Sequence, residues 1–189
     1  CECPDFCFWK APLSELDGKT LGIIGYGSIG QRVSNIAKAF GMKVLVNTLH
    51  PNPDKFKGVN FVDFDTLCKE SDFITCHCPL TSKTEGIINK DAISKMKNST
   101  VIINTSRGPV VNETDLAEAL NSERIAGAGV DVLSVEPPRN DNPLLSAKNC
   151  IITPHIAWAA FETRERLLKI LEENLKAFIE GHPQNVVNN

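Results

Sequence analysis

The sequence predicts an α/β fold built on a doubly wound parallel sheet. Short apolar runs alternate with segments of helical periodicity along most of the 189 residues. These runs lack the polar alternation of a half-exposed strand, which is typical of strands covered by helices on both faces. A glycine-rich turn joins the first run to the first helix. Together the three observations favour one sheet with helices on both sides.

The first half of the chain supplies three predicted strands and two predicted helices. The strands are TLGIIGYG, MKVLVNT and DFITCHC. Residues 28–40 are predicted to form the first helix, and FVDFDTLCKES contains a second, short one. An apolar stripe at the spacing of one helix face runs along the first helix. Its members are Ile29, Val33, Ile36, Ala37 and Phe40.

The second half continues the alternation and ends in a long helix. TVIINT, IAGAGVDV and CIITPHI are predicted strands, and residues 91–96 and 113–121 are predicted helices. An amphipathic helix is expected from Phe161 to Glu180, because Gly181 and Pro183 follow it as stop signals.

Composition excludes several functional classes. The chain carries 20 basic and 23 acidic residues, a net charge of -3, so it has no basic field that would recruit nucleic acid or anionic lipid. No apolar run has the length of a membrane span, and no signal peptide opens the sequence. The sequence therefore predicts a cytoplasmic protein that binds neither nucleic acid nor a membrane.

The seven cysteines favour buried, reduced thiols. Their odd number and the absence of paired C-x-x-C units argue against a disulfide framework and against a metal site. They are Cys1, Cys3, Cys7, Cys68, Cys76, Cys78 and Cys150.

The motif GYGSIG predicts a Rossmann-like dinucleotide-binding domain. Gly25, Gly27 and Gly30 follow a predicted strand and open a predicted helix, which is the context that this fingerprint requires. The first glycine permits a tight turn, the second lets the backbone approach a pyrophosphate, and the third lets helix and strand pack closely. The N–H groups at the helix start then face the phosphates.

The same fingerprint leaves the choice between NAD and NADP open. A carboxylate that binds the adenine ribose is expected about 20 residues further on, but Thr48 occupies that place. Thr48 and His50 offer hydrogen bonds to a phosphate, although no arginine stands beside them. The alternative is that Asp54 reaches in from the following loop while Thr48 merely ends its strand.

Further motifs resemble those of the D-isomer-specific 2-hydroxyacid dehydrogenases. INTSRGPVVN, GVDVLSVEPP and ITPHIAW follow the glycine loop in the order and spacing of this family, and SDFITCHCPLTSKTEGIIN is similar to its intervening segment. HIAWAAFETRERLL and PQNVVN are most similar to its glycerate dehydrogenase (hydroxypyruvate reductase) branch. The resemblance covers nearly the whole chain.

The resemblance implies catalytic roles for Arg107, Glu136 and His155. An imidazole exchanges a proton near neutral pH, a carboxylate on its second nitrogen favours the imidazolium, and a guanidinium binds a substrate carboxylate and polarises the keto oxygen. Each residue follows an apolar strand, so the three are expected at one edge of the sheet. The alternative for His155 is a hydrogen-bonded histidine of the core.

The resemblance also implies a set of cofactor contacts. Asp131 would bind the nicotinamide carboxamide, unless it is only a cap or turn acid. Trp158 would line the substrate pocket, with a place in the core as the alternative. The remaining contacts at the pyrophosphate, adenosine and nicotinamide are Ser28, Ile29, Cys78, Pro79, Thr105 and Ser106, with Arg107 and His155 beside the nicotinamide.

The resemblance further implies that the substrate domain of the family lies outside this chain. The glycine loop begins at residue 25, so residues 1–16 are expected to be an N-terminal segment, either an interface or a flexible end. Residues 17–189 would form the dinucleotide-binding domain with its C-terminal helix. Such a chain should bind the dinucleotide but reduce keto acids weakly or not at all, whereas the full-length protein would be a homodimer.

The expected function is therefore NAD(P)-dependent oxidoreduction of a small D-2-hydroxy acid and its 2-keto acid. Glycerate and hydroxypyruvate are the first candidates, with lactate-type, phosphoglycerate and phosphite dehydrogenases as rivals that share the three residues. The alternative from another class is a dinucleotide-sensing corepressor on the same scaffold. A methyltransferase also uses a glycine-rich turn, but it would not require the arginine, glutamate and histidine.

Overall fold

The computed structural model describes residues 13–187, which form two compact units. The first unit includes residues 13–152 and the second includes residues 153–187. The expected interface segment at residues 1–16 lies mostly outside the described residues, as do Cys1, Cys3 and Cys7.

Seven parallel strands form one sheet within residues 13–152, as the sequence predicts. The spatial order is β3-β2-β1-β4-β5-β6-β7. The strands are β1 (Thr20–Ile24), β2 (Lys43–Asn47), β3 (Asn60–Phe61), β4 (Phe73–Cys76), β5 (Val101–Asn104), β6 (Gly127–Val130) and β7 (Cys150–Ile152).

Four α-helices connect the strands of this unit. They are α1 (Ser28–Ala39), α2 (Phe64–Glu70), α3 (Lys90–Ser94) and α4 (Glu113–Asn121). The last three start at polar caps, because the side chains of Asp63, Asn89 and Asn112 each accept a hydrogen bond from an N–H of the first helical turn. Two short 3₁₀ turns, Gly108–Val110 and Pro143–Ser146, were not predicted; both contain a proline.

The strand order reverses between β1 and β4. From β1 the chain builds outward to β2 and β3, and from β4 it builds the other way to β7. Ile23, Ile74 and Ile102 on the central strands have no exposed surface, as expected for a sheet covered on both sides. In open α/β sheets, ligands bind beyond the carboxyl ends of the strands at such a reversal.

The predicted apolar stripe of α1 is wrong at three of its five positions. Ile29, Ile36 and Phe40 are 65%, 58% and 58% exposed. The buried positions of α1 are instead Gly30, Ser34 and Ala37. These small residues share one helix face at spacings of four and three, and they let the helix axis approach the sheet closely, so the larger apolar side chains lie outside the contact.

The last strand of the sheet is shorter than CIITPHI predicts. β7 ends at Ile152, and Pro154 has no N–H with which to continue the ladder. His155 therefore lies outside the strand. β3, a two-residue strand at the edge of the sheet, was not predicted either.

The described cysteines confirm the prediction of unpaired thiols. Cys68, Cys76 and Cys78 are buried, Cys150 is partly buried, and none of the four forms a disulfide. Burial raises the pKa of the Cys68 thiol to about 12, and it also raises the pKa values of the other three. These thiols are therefore protonated at neutral pH and poor nucleophiles.

The second unit contains the predicted long helix, α5, at Phe161–Ile179. Its large apolar side chains are exposed along its whole length. Phe161 at its start is 67% exposed, and Ile179 at its end is 74% exposed. Among residues 13–187, no helix combines the length and the apolar character needed to cross a membrane.

Candidate cofactor cavity and catalytic loops

The turn after β1 has a backbone conformation and a packing that favour glycine at its first position. Gly25 has a φ of 93°, in the left-handed region that L side chains rarely adopt. A Cβ on Gly25 would lie 2.7 Å from the backbone of His77 and Cys78. The amide of Gly25 donates to the Asn47 carbonyl at 2.8 Å, so this turn is fixed against both β2 and β4.

The other two glycines of the motif differ in what surrounds them. A Cβ on Gly30 would collide with the carbonyl oxygen of Gly25, and Ile23 lies close behind. Gly27 caps α1, and a Cβ there would meet nothing within 4 Å. The structure therefore leaves open space over the helix N-terminus at the position where the fingerprint expects a pyrophosphate.

A cavity of about 430 Å³ lies at the carboxyl ends of β1, β2 and β4. Five of the predicted cofactor-binding residues line this cavity, namely Gly25, Gly27, Thr48, Cys78 and Pro79. The remaining lining residues are Ile24, Tyr26, Asn47, Leu49, His50, His77, Thr81, Lys83, Thr84 and Ile87. Ser28 and Ile29 do not line it but stand exposed in the first turn of α1.

The lining of this cavity carries no carboxylate among the described residues, whereas Lys83 contributes a cation. Asp54, the alternative partner of a ribose, is exposed and is not among the lining residues. Burial lowers the pKa of His77, and its Nε2 lies 3.0 Å from the Thr75 hydroxyl oxygen. His77 is thus a neutral, hydrogen-bonded residue that lines the cavity. No motif in the sequence indicated that it would lie there.

The Thr84 hydroxyl helps to hold the segment from Pro79 to Thr84, which lines the cavity. Thr84 Oγ1 accepts a hydrogen bond from the Thr81 N–H at 2.8 Å and donates one to the Pro79 carbonyl at 2.6 Å. This closed turn orders the segment that carries Lys83.

The loop after β5 carries Arg107 and is organised by Asn104. The Asn104 side chain is 1% exposed. Its Oδ1 accepts from the N–H and hydroxyl of Ser106 at 3.0 and 2.9 Å, and its Nδ2 donates to the Arg107 carbonyl at 2.9 Å. Arg107 itself is exposed, and its guanidinium donates to the Ser106 carbonyl at 2.7 Å. The guanidinium is therefore accessible to an anion.

Asp131 and Glu136 follow the neighbouring strand β6. Asp131 is 6% exposed, and its N–H donates to the Asn104 carbonyl at 2.9 Å. The exposed Glu136 accepts a hydrogen bond from the Leu133 N–H at 2.8 Å through Oε1. Because β5 and β6 are adjacent and parallel, the loops that carry Arg107 and Glu136 leave the sheet at the same edge.

His155 belongs to the second unit. Its backbone has a φ of 53°, an uncommon conformation for a residue other than glycine, and its N–H donates to the Thr153 carbonyl at 3.0 Å. Backbone strain of this kind occurs often at functional sites. Trp158, three residues later, is 53% exposed, so it is not a core residue.

Sequence reasoning missed two side chains that organise the loops. Asn104 reads as an ordinary strand end, and Glu113 reads as an acid in the first turn of a helix, where the helix dipole favours negative charge. In the structure, Glu113 Oε1 instead accepts from the Ser134 N–H at 2.6 Å. Among residues 13–187, no group of three histidine, cysteine or acidic side chains is placed to hold a metal ion.

Comparison with known sequences supports the similarity seen in the motifs. Residues 9–157 match the sequence model described as D-isomer specific 2-hydroxyacid dehydrogenase, NAD binding domain. A hydroxypyruvate reductase from Blautia hydrogenotrophica is 55% identical over 186 residues, which is 98% of this chain and 58% of that protein. The chain spans somewhat more than half the length of the curated relatives that it matches.

Comparison with solved structures finds dehydrogenases and reductases with a similar fold. The NAD-complexed form of a D-isomer specific 2-hydroxyacid dehydrogenase from Lactobacillus delbrueckii ssp. bulgaricus has a TM-score of 0.86 at 32% identity, covering 97% of this chain and 61% of that one. An acyclic imino acid reductase, Bsp5, in complex with NADPH and D-Arg has a TM-score of 0.84 at 39% identity, covering 93% and 55%.

Proposed function

The chain belongs to the D-isomer specific 2-hydroxyacid dehydrogenases, and we propose from this that it serves an NAD(P)-dependent oxidoreductase that interconverts a small D-2-hydroxy acid and its 2-keto acid. One observation supports this proposal most. The open space over Gly27 and the exposed Arg107 guanidinium both lie at the carboxyl ends of strands in one parallel sheet. A phosphate-binding turn and an anion-binding cation at one edge suit a cofactor and an acid that must react together.

The described residues fit a nicotinamide dinucleotide. The N–H groups of Ser28 and Ile29 at the start of α1 would bind the pyrophosphate, while Thr48, Cys78 and Pro79 would border the adenosine. Thr105, Ser106 and Asp131 would hold the nicotinamide end. With no carboxylate lining the described cavity and Lys83 in its wall, the adenosine site accepts NAD or NADP. The cofactor, when bound, supplies or accepts the hydride.

Three residues of this chain have proposed roles in binding the acid and in transferring its proton. Arg107 binds the substrate carboxylate and polarises the keto oxygen. His155 donates the proton that the oxygen needs as the hydride reaches the carbon, and it takes that proton back in the oxidation. The role that the family resemblance assigns to Glu136 is to orient the imidazole. Trp158 borders the acid.

Hydroxypyruvate is the first substrate to test, because the relative at 55% identity carries that name. Since the relatives described above are oxidoreductases by name, an enzyme is favoured over the corepressor-like alternative. A homodimer and a cytoplasmic location stay predictions, and native mass spectrometry would test the first.

The experiment uses the complete natural protein and measures reduction of hydroxypyruvate with NADH and with NADPH. Wild-type protein should consume either cofactor in proportion to the acid reduced. His155→Gln should lower kcat by about a hundredfold or more, because general acid catalysis contributes that much. Arg107→Gln should raise KM for the acid, because a carboxylate contact is lost, and should also lower kcat, because the cation that polarises the keto oxygen is lost.

His182→Gln is the matched control, because His182 is an exposed histidine beyond α5. It should leave the rate unchanged. No turnover of hydroxypyruvate, glyoxylate or pyruvate by the wild-type protein would refute the proposed activity. An unchanged rate in His155→Gln would refute the proton-donor role alone.

A further inference from the structure

Two carboxylates bind consecutive peptide N–H groups in the loop after β6. The Leu133 N–H donates to Glu136 at 2.8 Å, and the Ser134 N–H donates to Glu113, from the start of α4, at 2.6 Å. The proposed catalytic carboxylate and Glu113 thus hold adjacent amides. Hydrogen bonds to carboxylates are shorter and stronger than those between neutral groups.

The second oxygen of Glu113 reaches the far end of the same loop. Its Oε2 accepts from Asn142 Nδ2 at 2.9 Å, while Asn142 Oδ1 accepts from the Leu144 N–H at 3.0 Å. The orientation of the Asn142 amide is therefore set by its cap of the Pro143–Ser146 turn. Glu113 joins residue 134 to residue 142 across the segment that carries Glu136.

The peptide that Glu113 holds also contacts the arginine loop. A Cβ on Gly108 would collide with the Leu133 carbonyl group and the Ser134 nitrogen. Gly108 is buried and directly follows Arg107. A shift of the Leu133–Ser134 peptide would therefore disturb the backbone beside Arg107 as well as the loop of Glu136.

We infer that Glu113 is a positioning residue for the reaction: it fixes the Leu133–Ser134 peptide, and through that peptide it sets the places of Glu136 and Arg107. This inference rests on the proposed function. A role in the helix dipole alone does not explain the contacts, because both Glu113 oxygens bind the loop rather than N–H groups of their own helix.

The test is Glu113→Gln in the complete natural protein. The oxygen of the introduced amide still accepts a hydrogen bond from the Ser134 N–H. Its nitrogen, however, faces the Asn142 Nδ2, and because both nitrogens are donors, the hydrogen bond to Asn142 is lost. We expect kcat for keto acid reduction to fall about tenfold to a hundredfold, as small misplacements of catalytic groups do. The affinity for the nicotinamide cofactor should change by less than about threefold, because most of its proposed contacts lie in the cavity at β1, β2 and β4.

The exchanged pair, Glu113→Gln with Asn142→Asp, should restore the lost bond with its direction reversed. The introduced amide then donates to the introduced carboxylate, which keeps an oxygen for the Leu144 N–H. We expect kcat to return to within about threefold of wild type, well above Glu113→Gln. A structural role in folding would move Tm and cofactor affinity together with kcat, whereas positioning moves kcat.

Glu118→Gln is the matched control, since Glu118 lies on the same helix and pairs with Lys90 at 3.6 Å on an exposed surface. It should not change kcat. If Glu113→Gln keeps the wild-type kcat while Glu136→Gln loses it, the inference is wrong and the proposed function stands. If the exchange restores nothing, the inference is also wrong. If Glu136→Gln itself keeps the wild-type kcat, the proposed role of Glu136 fails, and the inference fails with it.

Discussion

The glycine turn of the cofactor cavity and the loops after β5 and β6 share one sheet edge but keep their shapes by opposite means. Around the cavity, Gly25 and Gly30 leave no room for a side chain, and the backbone itself forms the turn. In the loops, the buried Asn104 and the first-turn Glu113 supply the hydrogen bonds that the backbone lacks. Adding a methyl group to Gly25 or Gly30 should therefore disrupt the turn. Removing the polar side-chain group of Asn104 or Glu113 should disrupt the loops.

This difference corresponds to what each region binds. A pyrophosphate is held by N–H groups that every sequence possesses, so the site needs only space and the right turn. A keto acid needs a cation, a proton donor and their supports, which only particular side chains provide. The first region therefore has a recognisable motif, whereas the second is spread over separate loops.

The comparison is tested most strongly by two alanine variants in the glycine turn. Gly25→Ala forces a left-handed φ on a side chain and a contact of 2.7 Å with the backbone of His77 and Cys78. Together these should cost roughly 2–5 kcal/mol of unfolding free energy. Gly27→Ala meets nothing within 4 Å and has a φ of -75°, so its stability should stay within about 1 kcal/mol of wild type.

Both variants should nevertheless bind the dinucleotide more weakly than the wild-type protein does. In Gly27→Ala, the methyl group occupies the space expected for the pyrophosphate, and Kd for NADH should rise about tenfold or more, or roughly 1.4 kcal/mol. Urea unfolding and calorimetric titration give the two quantities. Gly129→Ala, which also meets nothing within 4 Å, is the control that should keep wild-type affinity. Wild-type affinity in Gly27→Ala would mean that the phosphate lies elsewhere.

Removing a polar group from the loops should have a smaller effect on stability and a large one on KM for the keto acid. Asn104→Ala leaves the Ser106 N–H and the Arg107 carbonyl without their buried partner, at a cost of about 1–3 kcal/mol. Because the Arg107 loop then loses its fixed geometry, KM for the keto acid should rise by a larger factor than Kd for the cofactor, most of whose proposed contacts lie in the cavity at β1, β2 and β4. Steady-state kinetics and calorimetric titration separate the two.

Asn98→Ala provides the comparison for this variant. Asn98 is an exposed asparagine whose side chain accepts from Arg124 at 2.9 Å, on the side of α3 and α4. Its removal should leave both constants unchanged. Equal effects of the two substitutions on KM would show that Asn104 does not hold the arginine loop.

A similar contrast explains which parts of the fold could be predicted from the sequence and which could not. Six of the seven strands and α4 were predictable, since apolar runs and an N-cap are local signals; α4 begins and ends where it was predicted. The buried face of α1 was not, because the apolar pattern points to Ile29 and Ile36, whereas close helix–sheet packing favours Gly30, Ser34 and Ala37. Large apolar residues indicate burial only where the partner leaves room for them.

The candidate site divides in a similar way. The glycine turn, Thr48 and Pro79 were predicted, and they line one cavity. Lys83 and His77 were not, because they reach the cavity only through the fold of the segment after β4. Glu113 was hidden by a sufficient local explanation, an acid at a helix start. A residue that has an ordinary local role gives no sign in the sequence of a second, distant one.

The smallest predicted effect concerns Asp72, which lies at the opposite end of the sheet from both regions. Its side chain accepts from the Thr20 N–H and from Lys97 Nζ, both at 2.8 Å, and so joins the starts of β1 and β4. Burial alone would raise the pKa of Asp72, but the lysine and the amide outweigh it and hold the pKa below its ordinary value. Asp72→Asn should therefore lower the unfolding free energy by about 1 kcal/mol at neutral pH.

This contribution should disappear in acid, because a carboxylate with a lowered pKa stabilises the fold above its unfolded pKa of about 4 and loses that stabilisation as the pH falls through the folded value. Urea unfolding of wild type and Asp72→Asn between pH 7 and pH 3 should show the difference shrinking at the low end. Glu172→Gln, which removes an exposed pair with Lys176 at 2.7 Å, should leave the urea midpoint close to that of wild type, because exposed ion pairs contribute little to stability. Since Asp72 supports the strands of both regions alike, its loss should leave Kd and KM unchanged; a change in either one would mean that the two ends of the sheet are coupled.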